Sequence, residues 1–149
     1  MAKRHPDLLF NADLSHYYTG QEMLYGDMQA KIDFLTPVLV RTGFMHGRIG
    51  TSGNIQVRLD DPAMVPAIAT FRLMWIVCMR GFLARAKPGD VLSFNPELLP
   101  ACINYARNTP GPDGVPREEC DRWTESLRLG VIAQECWTEA VRQGPLNQK

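Results

Sequence analysis

Three short polar clusters in this sequence each follow an apolar stretch, and they contain the residue types that bind metal ions or transfer protons. FNADLSHYY holds Asp13 and His16, FMHGRIG holds His46 and Arg48, and SFNPELLPA holds Glu97. Two of the chain's three histidines therefore fall within these clusters. Two carboxylates and an imidazole that converge would form a mixed oxygen and nitrogen site suited to Mn²⁺, Mg²⁺, Co²⁺ or Zn²⁺. A metal bound there would polarise a carbonyl or hydroxyl oxygen.

The elements that must position these residues form three strand–helix units. Strands are predicted within 7–15, 42–50 and 91–100, and helices at 19–41, 65–86 and 116–142. Thr19 and Glu22 have the spacing of a capping box for the first helix, which Pro37 should kink or end near Thr36. Pro116 suits the first turn of the last helix. Three such units in series imply one α/β domain, residues 1–149, with a parallel sheet and right-handed crossovers.

Apolar residues recur at helical spacing in each predicted helix, and we expect these faces to form the core. The first face comprises Met23, Leu24, Met28, Ile32 and Leu35. The second comprises Phe71, Met74, Trp75, Cys78 and Phe82, and the third comprises Cys120, Trp123, Leu127, Val131, Gln134, Trp137 and Val141. All three tryptophans are consequently expected in the core.

The carboxyl ends of parallel strands share one face of an α/β protein, which is where such proteins place their chemistry. We therefore expect Asp13, His46 and Glu97 to meet there. Arg48 would lie on the same side as His46 and could hold an anionic or hydroxylated substrate. His16 joins the site only if the first strand ends before it. The alternatives are that Asp13 caps a turn and that His46 and Arg48 form only a hydrogen-bonded pair.

The composition narrows the class of protein. With 45% apolar and 21% charged residues, the chain is typical of a globular domain. Sixteen basic and sixteen acidic residues give no net charge, which argues against nucleic acids and anionic membranes as partners. We expect no secretory signal and no apolar run near the roughly 18 residues of a membrane span, and hence a cytoplasmic protein. The four cysteines lack metal or redox spacing and are expected to be reduced.

Taken in order, three segments resemble the C-terminal part of sugar phosphate isomerase/epimerase proteins of the xylose-isomerase-like TIM-barrel superfamily. They are ADLSHYYTGQEM, FMHGRIGTSGNIQV followed by DDP, and SFNPELLPA. That family carries D-F-S-H, then H-A-R-V-G with a downstream P-Q-V, then T-P-E-F-G-P. The resemblance covers nearly the whole chain. It implies a partial (β/α) barrel, matching the last three of the eight units in a full barrel of roughly 250 residues.

The resemblance also implies roles for the residues that match these motifs. Asp13, His46 and Glu97 would ligate the divalent metal. Glu97 would also take part in proton transfer. His16 would contact the substrate during catalysis or support the metal ligands.

The substrate pocket is the least complete part of the resemblance. Arg48 matches the family's arginine, and Gln56 matches the glutamine of the P-Q-V loop, where Ile55 replaces the proline. Both are expected to bind substrate. The five strands of a barrel that have no counterpart here would carry a further glutamate ligand and most of the pocket.

The residues and the resemblance are compatible with three functions. The first is a metal-dependent isomerase or epimerase of sugars or sugar phosphates. It would be active after assembly with copies of itself or with a separately encoded N-terminal barrel half. The second is a half-barrel relic without turnover, and the third is a module that binds a small ligand or a protein. Assembly is expected because three parallel strands leave two edges and an apolar inner face uncovered.

Overall fold

A short parallel sheet with helices on one face forms the frame of this α/β protein. The computed structural model describes residue 5 and residues 7–146. In chain order the elements are β1 (Phe10–Asp13), α1 (Leu14–Gly20), α2 (Met28–Leu39), β2 (Thr42–Gly47), α3 (Val65–Leu83), β3 (Ser93–Pro96), β4 (Asn108–Pro110), β5 (Pro116–Glu118) and α4 (Arg122–Gln143). As predicted, β1, β2 and β3 form one parallel sheet in that order. The Pro- and Gly-rich segment before α4 forms a separate antiparallel hairpin of β4 and β5.

The segment after β1 differs from the prediction, because it forms two helices instead of one. Asp13 caps α1 with its side chain, and Asp27 caps α2. Between the helices the chain turns through Glu22 and Gly26, which have φ angles of 45° and 75°. The predicted capping box is therefore wrong: the left-handed backbone at Glu22 excludes it from a first helical turn, and the hydroxyl of Thr19 donates to a carbonyl of the loop after β2.

Of the two outcomes predicted at Pro37, a kink or the end of the helix near Thr36, the structure excludes the second. The helix passes through Pro37 and ends at Leu39. A proline inside a helix removes one backbone hydrogen bond. The hydroxyl of Thr36 donates to the carbonyl of Ile32 at 2.9 Å, a local bond that often accompanies a bend in a helix.

Helix α3 lies at the centre of the core, and it buries the face predicted for it. That face comprises Phe71, Met74, Trp75, Cys78 and Phe82. The indole of Trp75 packs edge to face against the ring of Phe94 on β3, with 5.1 Å between the ring centroids. Packing between α3 and the sheet thus fixes the position of the edge strand β3.

Among the described residues, one helical segment is long and apolar enough to cross a membrane. It is Pro62–Leu83, and on length and composition it contradicts the expectation that no apolar run reaches that size. The core helix of a soluble protein meets the same criteria. Within the segment, 44% of the 18-residue window that meets these criteria is buried inside the fold, and a single such helix is weak evidence for a membrane span.

Helix α4 packs with the face opposite to the predicted one. Its buried residues are Glu125, Leu129, Ala133, Cys136 and Ala140. The residues predicted to be buried include Trp123, Leu127, Val131, Trp137 and Val141, and all five are exposed, Trp123 by 72%. The small side chains among them, Ala133, Cys136 and Ala140, allow α4 to approach α3 closely, whereas the tryptophans of the other face would not. The helix also begins at Arg122, later than predicted, because Pro116 belongs to β5.

The sheet face away from the helices is mostly polar, contrary to the apolar face that we expected. Ala12, Met45 and Phe94 face the helices. The alternating residues on the other face are Asn11, Phe44, His46, Ser93 and Asn95, of which the two asparagines and Ser93 are exposed. Among the described strands, β1 and β3 each have a single neighbour. The sheet therefore has two open edges and an open polar face.

Two glycines in helix interiors provide a matched test of this packing. A Cβ on Gly81 in α3 would lie 2.4 Å from the Cα of Val40, whereas a Cβ on Gly130 in α4 would meet nothing within 4 Å. We expect Gly81→Ala to lower the free energy of unfolding by about 1–3 kcal/mol through overpacking. Gly130→Ala should raise it by about 0.5–1 kcal/mol through helix propensity. Urea denaturation of both variants measures the difference, and effects of the same sign would contradict this packing.

Candidate metal centre

The carboxyl ends of the three parallel strands bring the three predicted metal ligands together. Asp13 pairs with His46 in the strand register, and the amide of Glu97 donates to the carbonyl of Gly47 at 3.1 Å. One ligand atom from each of the three residues lies within 4.8 Å of the others. Two ligands of one ion at about 2.1 Å can be about 4.2 Å apart at most. In the tetrahedral geometry of zinc the ligands are closer, about 3.4 Å apart, so the three side chains would have to close by about 1–1.5 Å to hold such an ion.

The start of α1 orients the carboxylate of Asp13. Its Oδ1 accepts hydrogen bonds from the amide of Ser15 at 3.2 Å and from the Ser15 hydroxyl at 2.6 Å. Its Oδ2 faces the imidazole of His46, whose Nδ1 lies 3.8 Å away. Capping thus uses one oxygen of Asp13 and leaves the other directed to the site.

The imidazole of His46 lies between the two carboxylates. Its Nδ1 is 3.1 Å from Oε2 of Glu97, and its Nε2 is 3.5 Å from the side-chain nitrogen of Asn11. The ring packs edge-on against Phe44, with 5.2 Å between the ring centroids. Because the side chains of His46 and Glu97 are partly exposed, the site opens onto the polar face of the sheet.

Arg48 is the most buried member of the cluster, with no exposed side-chain surface. Its Nη2 contacts Oδ2 of Asp13 and lies 3.2 Å from Oε2 of Glu97. Its Nε donates to the hydroxyl of Ser15 at 2.9 Å, and the ring of Tyr105 lies 4.8 Å from the guanidinium carbon. Its Nη1 is buried and has no hydrogen-bond partner among the described residues. The arginine therefore joins two strand ends and keeps one donor nitrogen unsatisfied.

His16 lies at the mouth of the site. The strand ends at Asp13, so His16 falls in α1, which meets the condition set by the sequence. Its Nε2 is 3.2 Å from Oδ2 of Asp13 and 3.3 Å from Nη2 of Arg48. Its side chain is 56% exposed and so is accessible to a ligand entering from solvent.

Gln56 is buried and joins two loops. Its Nε2 donates to the carbonyl of Leu99 at 3.1 Å, and its Oε1 accepts from the amide of Leu99 at 2.9 Å. Gln56 thereby links the loop after β2 to the loop after β3. The substrate-binding role expected for it stays a prediction.

Two residues of the site were missed by sequence reasoning. Ser15 bonds to both Asp13 and Arg48, and the Asp-x-Ser spacing at a helix start could have indicated it. Tyr105 lies over Arg48 from the loop after β3. A lone tyrosine in a loop has no periodicity or spacing that predicts such a contact.

The pKa of Asp13 lies below its usual value, although the largest single influence on it acts in the opposite direction. Burial disfavours the charged carboxylate and raises its pKa. The hydrogen bond from Ser15, the charges of Arg48 and His16, and the hydrogen bond from Arg48 together outweigh this cost. Asp13 is therefore ionised at neutral pH and supplies a negatively charged oxygen ligand.

Comparison with known proteins does not extend the sequence resemblance. No protein-family model, curated protein or solved structure matches the chain. The family resemblance therefore stays a prediction, and the evidence for function is the chemistry of the site itself.

Removing the charge of Arg48 should raise the pKa of Asp13, because the carboxylate would remain buried without its cation. With a folded-state pKa below the unfolded value of about 3.9, Asp13 stabilises the fold above that pH and loses this contribution as the pH falls through its folded pKa. We expect Arg48→Gln to lower the free energy of unfolding by about 3 kcal/mol at pH 7 and by less once Asp13 is protonated. Carboxyl ¹³C titration measures the pKa of Asp13. Urea denaturation at pH 7, and at a pH below the folded-state pKa of Asp13, measures the two free energies of unfolding.

Arg72→Gln is the matched control, because Arg72 pairs with the exposed Glu135 at the surface. It should leave the Asp13 pKa unchanged and cost at most about 1 kcal/mol. An Asp13 pKa that is equally low in Arg48→Gln would contradict the assigned cause.

Proposed function

We propose that this chain is part of a cytoplasmic, divalent-metal-dependent isomerase or epimerase of sugars or sugar phosphates. In this proposal its three parallel units correspond to the last three of a TIM barrel. One observation carries it: an aspartate, a histidine and a glutamate converge at the ends of three adjacent parallel strands. This is the face at which (β/α) barrels place their active sites.

The donor set fits a hard or borderline divalent ion. Two carboxylates and one imidazole suit Mn²⁺, Mg²⁺, Co²⁺ or Zn²⁺. Asp13, His46 and Glu97 would hold the ion, and further ligands would come from water or from another chain. Because Nη2 of Arg48 contacts both carboxylates, the arginine must withdraw for these oxygens to become available.

The ion and three residues of the cluster have parts in the proposed reaction. A bound ion would supply Lewis-acid polarisation of adjacent oxygens of a sugar. The carboxylate of Glu97 would accept a proton from the carbon beside the carbonyl and return it. His16, at the mouth of the site, would hydrogen-bond a substrate oxygen, and Arg48 would hold a phosphate or a developing oxyanion.

A proton transfer of this kind is detectable before the substrate is known. We expect the chain with Mn²⁺ to exchange deuterium from D₂O into the carbon beside the carbonyl of at least one ketose or ketose phosphate. Glu97→Gln should reduce the exchange rate by about 100-fold or more, because it removes both the proposed base and one of the three proposed metal ligands. Proton NMR of a panel of sugars measures this exchange.

The control variant is Glu139→Gln, which alters a carboxylate paired with Arg142 on the surface of α4. This variant should catalyse deuterium exchange and bind Mn²⁺ as the unmodified chain does. Asp13→Asn should weaken Mn²⁺ binding by at least the roughly 10- to 100-fold that loss of a ligand's supporting hydrogen bond costs. Unchanged Mn²⁺ binding in Asp13→Asn would remove the basis of the proposal.

The same proposal includes assembly with further copies of the chain. Beside the open edge of β3, an apolar groove of about 480 Å³ runs between the sheet and α4. Its lining includes Leu92, Phe94 and Trp137. The exposed apolar face of α4 continues from it, and this face has the periodicity of a buried helix. A strand and helix from another copy would cover the edge, the groove and this face together.

A charge on this face should prevent assembly. We expect Leu127→Lys on α4 to convert an oligomer of the chain to monomers, because it places a charge within an apolar interface. Leu73→Lys on α3 is the matched control, since the two leucines are similarly exposed at 57% and 53%. Size-exclusion chromatography with light scattering measures the mass. A monomeric unmodified chain would contradict self-assembly and favour a separately encoded barrel half.

A second candidate function, a half-barrel relic without turnover, is favoured by one specific observation. The carboxylates of Asp13 and Glu97 already have a cation, because Arg48 contacts both. A relic would retain this pairing and bind no metal. The Mn²⁺ titration of the unmodified chain separates this candidate from the enzyme.

A further inference from the structure

Arg48 occupies the oxygens that a metal ion would need. Oδ2 of Asp13 and Oε2 of Glu97 are the carboxylate oxygens nearest Nδ1 of His46, at 3.8 and 3.1 Å. The same two oxygens are those in contact with Nη2 of Arg48. An ion bound to them would lie beside a guanidinium, and two cations at that separation in a partly buried site repel strongly. Binding of the ion therefore requires Nη2 to leave at least one carboxylate.

A displaced guanidinium needs a new acceptor. The side chain of Arg48 is fully buried, and its Nη1 already lacks a partner among the described residues. Loss of the carboxylate contact would leave Nη2 unsatisfied as well, and buried charged donors without acceptors are costly. With no other change, this cost would weaken metal binding.

Two nitrogens of the Arg48 guanidinium, Nη1 and Nη2, are suited to bind an anion. Ser15 holds Nε, and the ring of Tyr105 lies over the guanidinium. Nη1 has no partner among the described residues, and Nη2 becomes free once it leaves the carboxylates. Together these two nitrogens form the edge that binds carboxylate and phosphate groups through two parallel hydrogen bonds. Arg48 itself is fully buried, but the side chain of His16, whose Nε2 lies 3.3 Å from Nη2, is more than half exposed, so solvent reaches the side of the cluster next to Nη2.

We infer that the cluster of Asp13, Arg48 and Glu97 binds a divalent cation and a small oxyanion as a coupled pair. The anion draws Arg48 from the carboxylates, and the cation takes the oxygens that Arg48 vacates. Each ligand thus raises the affinity of the other by the same factor, as thermodynamic linkage requires. The inference rests on the proposed function in that it assigns the cation to the same three residues. It adds that an anionic group, a carboxylate or a phosphate, must displace Arg48 before the cation binds tightly.

Calorimetric titration of the full chain with Mn²⁺ tests the coupling directly. The titration is run in chloride, in acetate and in sulfate at equal ionic strength, with free Mn²⁺ corrected for its weak complexes with the anions. We expect Mn²⁺ to bind about tenfold more tightly with acetate or sulfate than with chloride. An effect confined to sulfate identifies a phosphate-like ligand, and one confined to acetate identifies a carboxylate.

Arg48→Met removes the competing cation while keeping a long side chain. This variant should bind Mn²⁺ in chloride at least as tightly as the unmodified chain does with its preferred anion, and the anion effect should disappear. Arg72→Met, which removes a surface arginine paired with Glu135, should keep the anion effect. The anion series on the unmodified chain needs no variant, so it decides the question even if Arg48→Met does not fold.

The outcomes separate this inference from the proposed function. Equal Mn²⁺ affinity in all three salts would overturn the coupling and leave the metal site intact. Weaker Mn²⁺ binding by a folded Arg48→Met in chloride would also overturn it, because the arginine would then support the ion. No Mn²⁺ binding by either protein in any salt would overturn both the coupling and the proposed metal centre.

Discussion

The buried charge of Arg48 is the constraint on which the geometry of the site depends. Removing a guanidinium from water costs several kcal/mol unless it is paired and hydrogen-bonded. Its partners are Asp13 at the end of β1, Ser15 in α1 and Glu97 after β3. Since Arg48 itself follows β2, its contacts join the ends of all three strands. The requirement to satisfy one charge therefore holds the carboxylates of Asp13 and Glu97, two of the three candidate metal ligands, close together.

The sequence predicted the strands and α3 because their patterns have one interpretation. α3 is apolar on a wide face and meets both the sheet and its neighbouring helices, so its buried residues were found correctly. The apolar pattern of α4, in contrast, is compatible with burial of either side of the helix. Trp123, Leu127 and Val131 repeat at the spacing of a buried face, yet α3 is packed by smaller residues on the other side. Periodicity shows that a helix face is apolar and does not show which partner covers it.

The candidate site was predictable where it depends on the ends of strands and not where it depends on loops. The topology of a parallel sheet sufficed to place Asp13, His46, Arg48 and Glu97 together. Tyr105 reaches Arg48 from a loop whose course depends on contacts distant in sequence. The contacts of Gln56 are of the same kind, since they join two loops after different strands. No local pattern encodes such pairs.

The polar side of the sheet connects the site to the chemistry proposed for it. If the open face of the sheet were part of an apolar core, it would expose aliphatic side chains. It instead presents Asn11, Ser93 and Asn95 on the same face as His46. Amide and hydroxyl groups both donate and accept hydrogen bonds, so this surface remains well solvated in an isolated chain. In the proposed barrel the side chains of Asn11 and Asn95 would line the interior near His46 and the carboxylates. A polyhydroxylated ligand could satisfy them there, whereas an apolar ligand would leave them without partners.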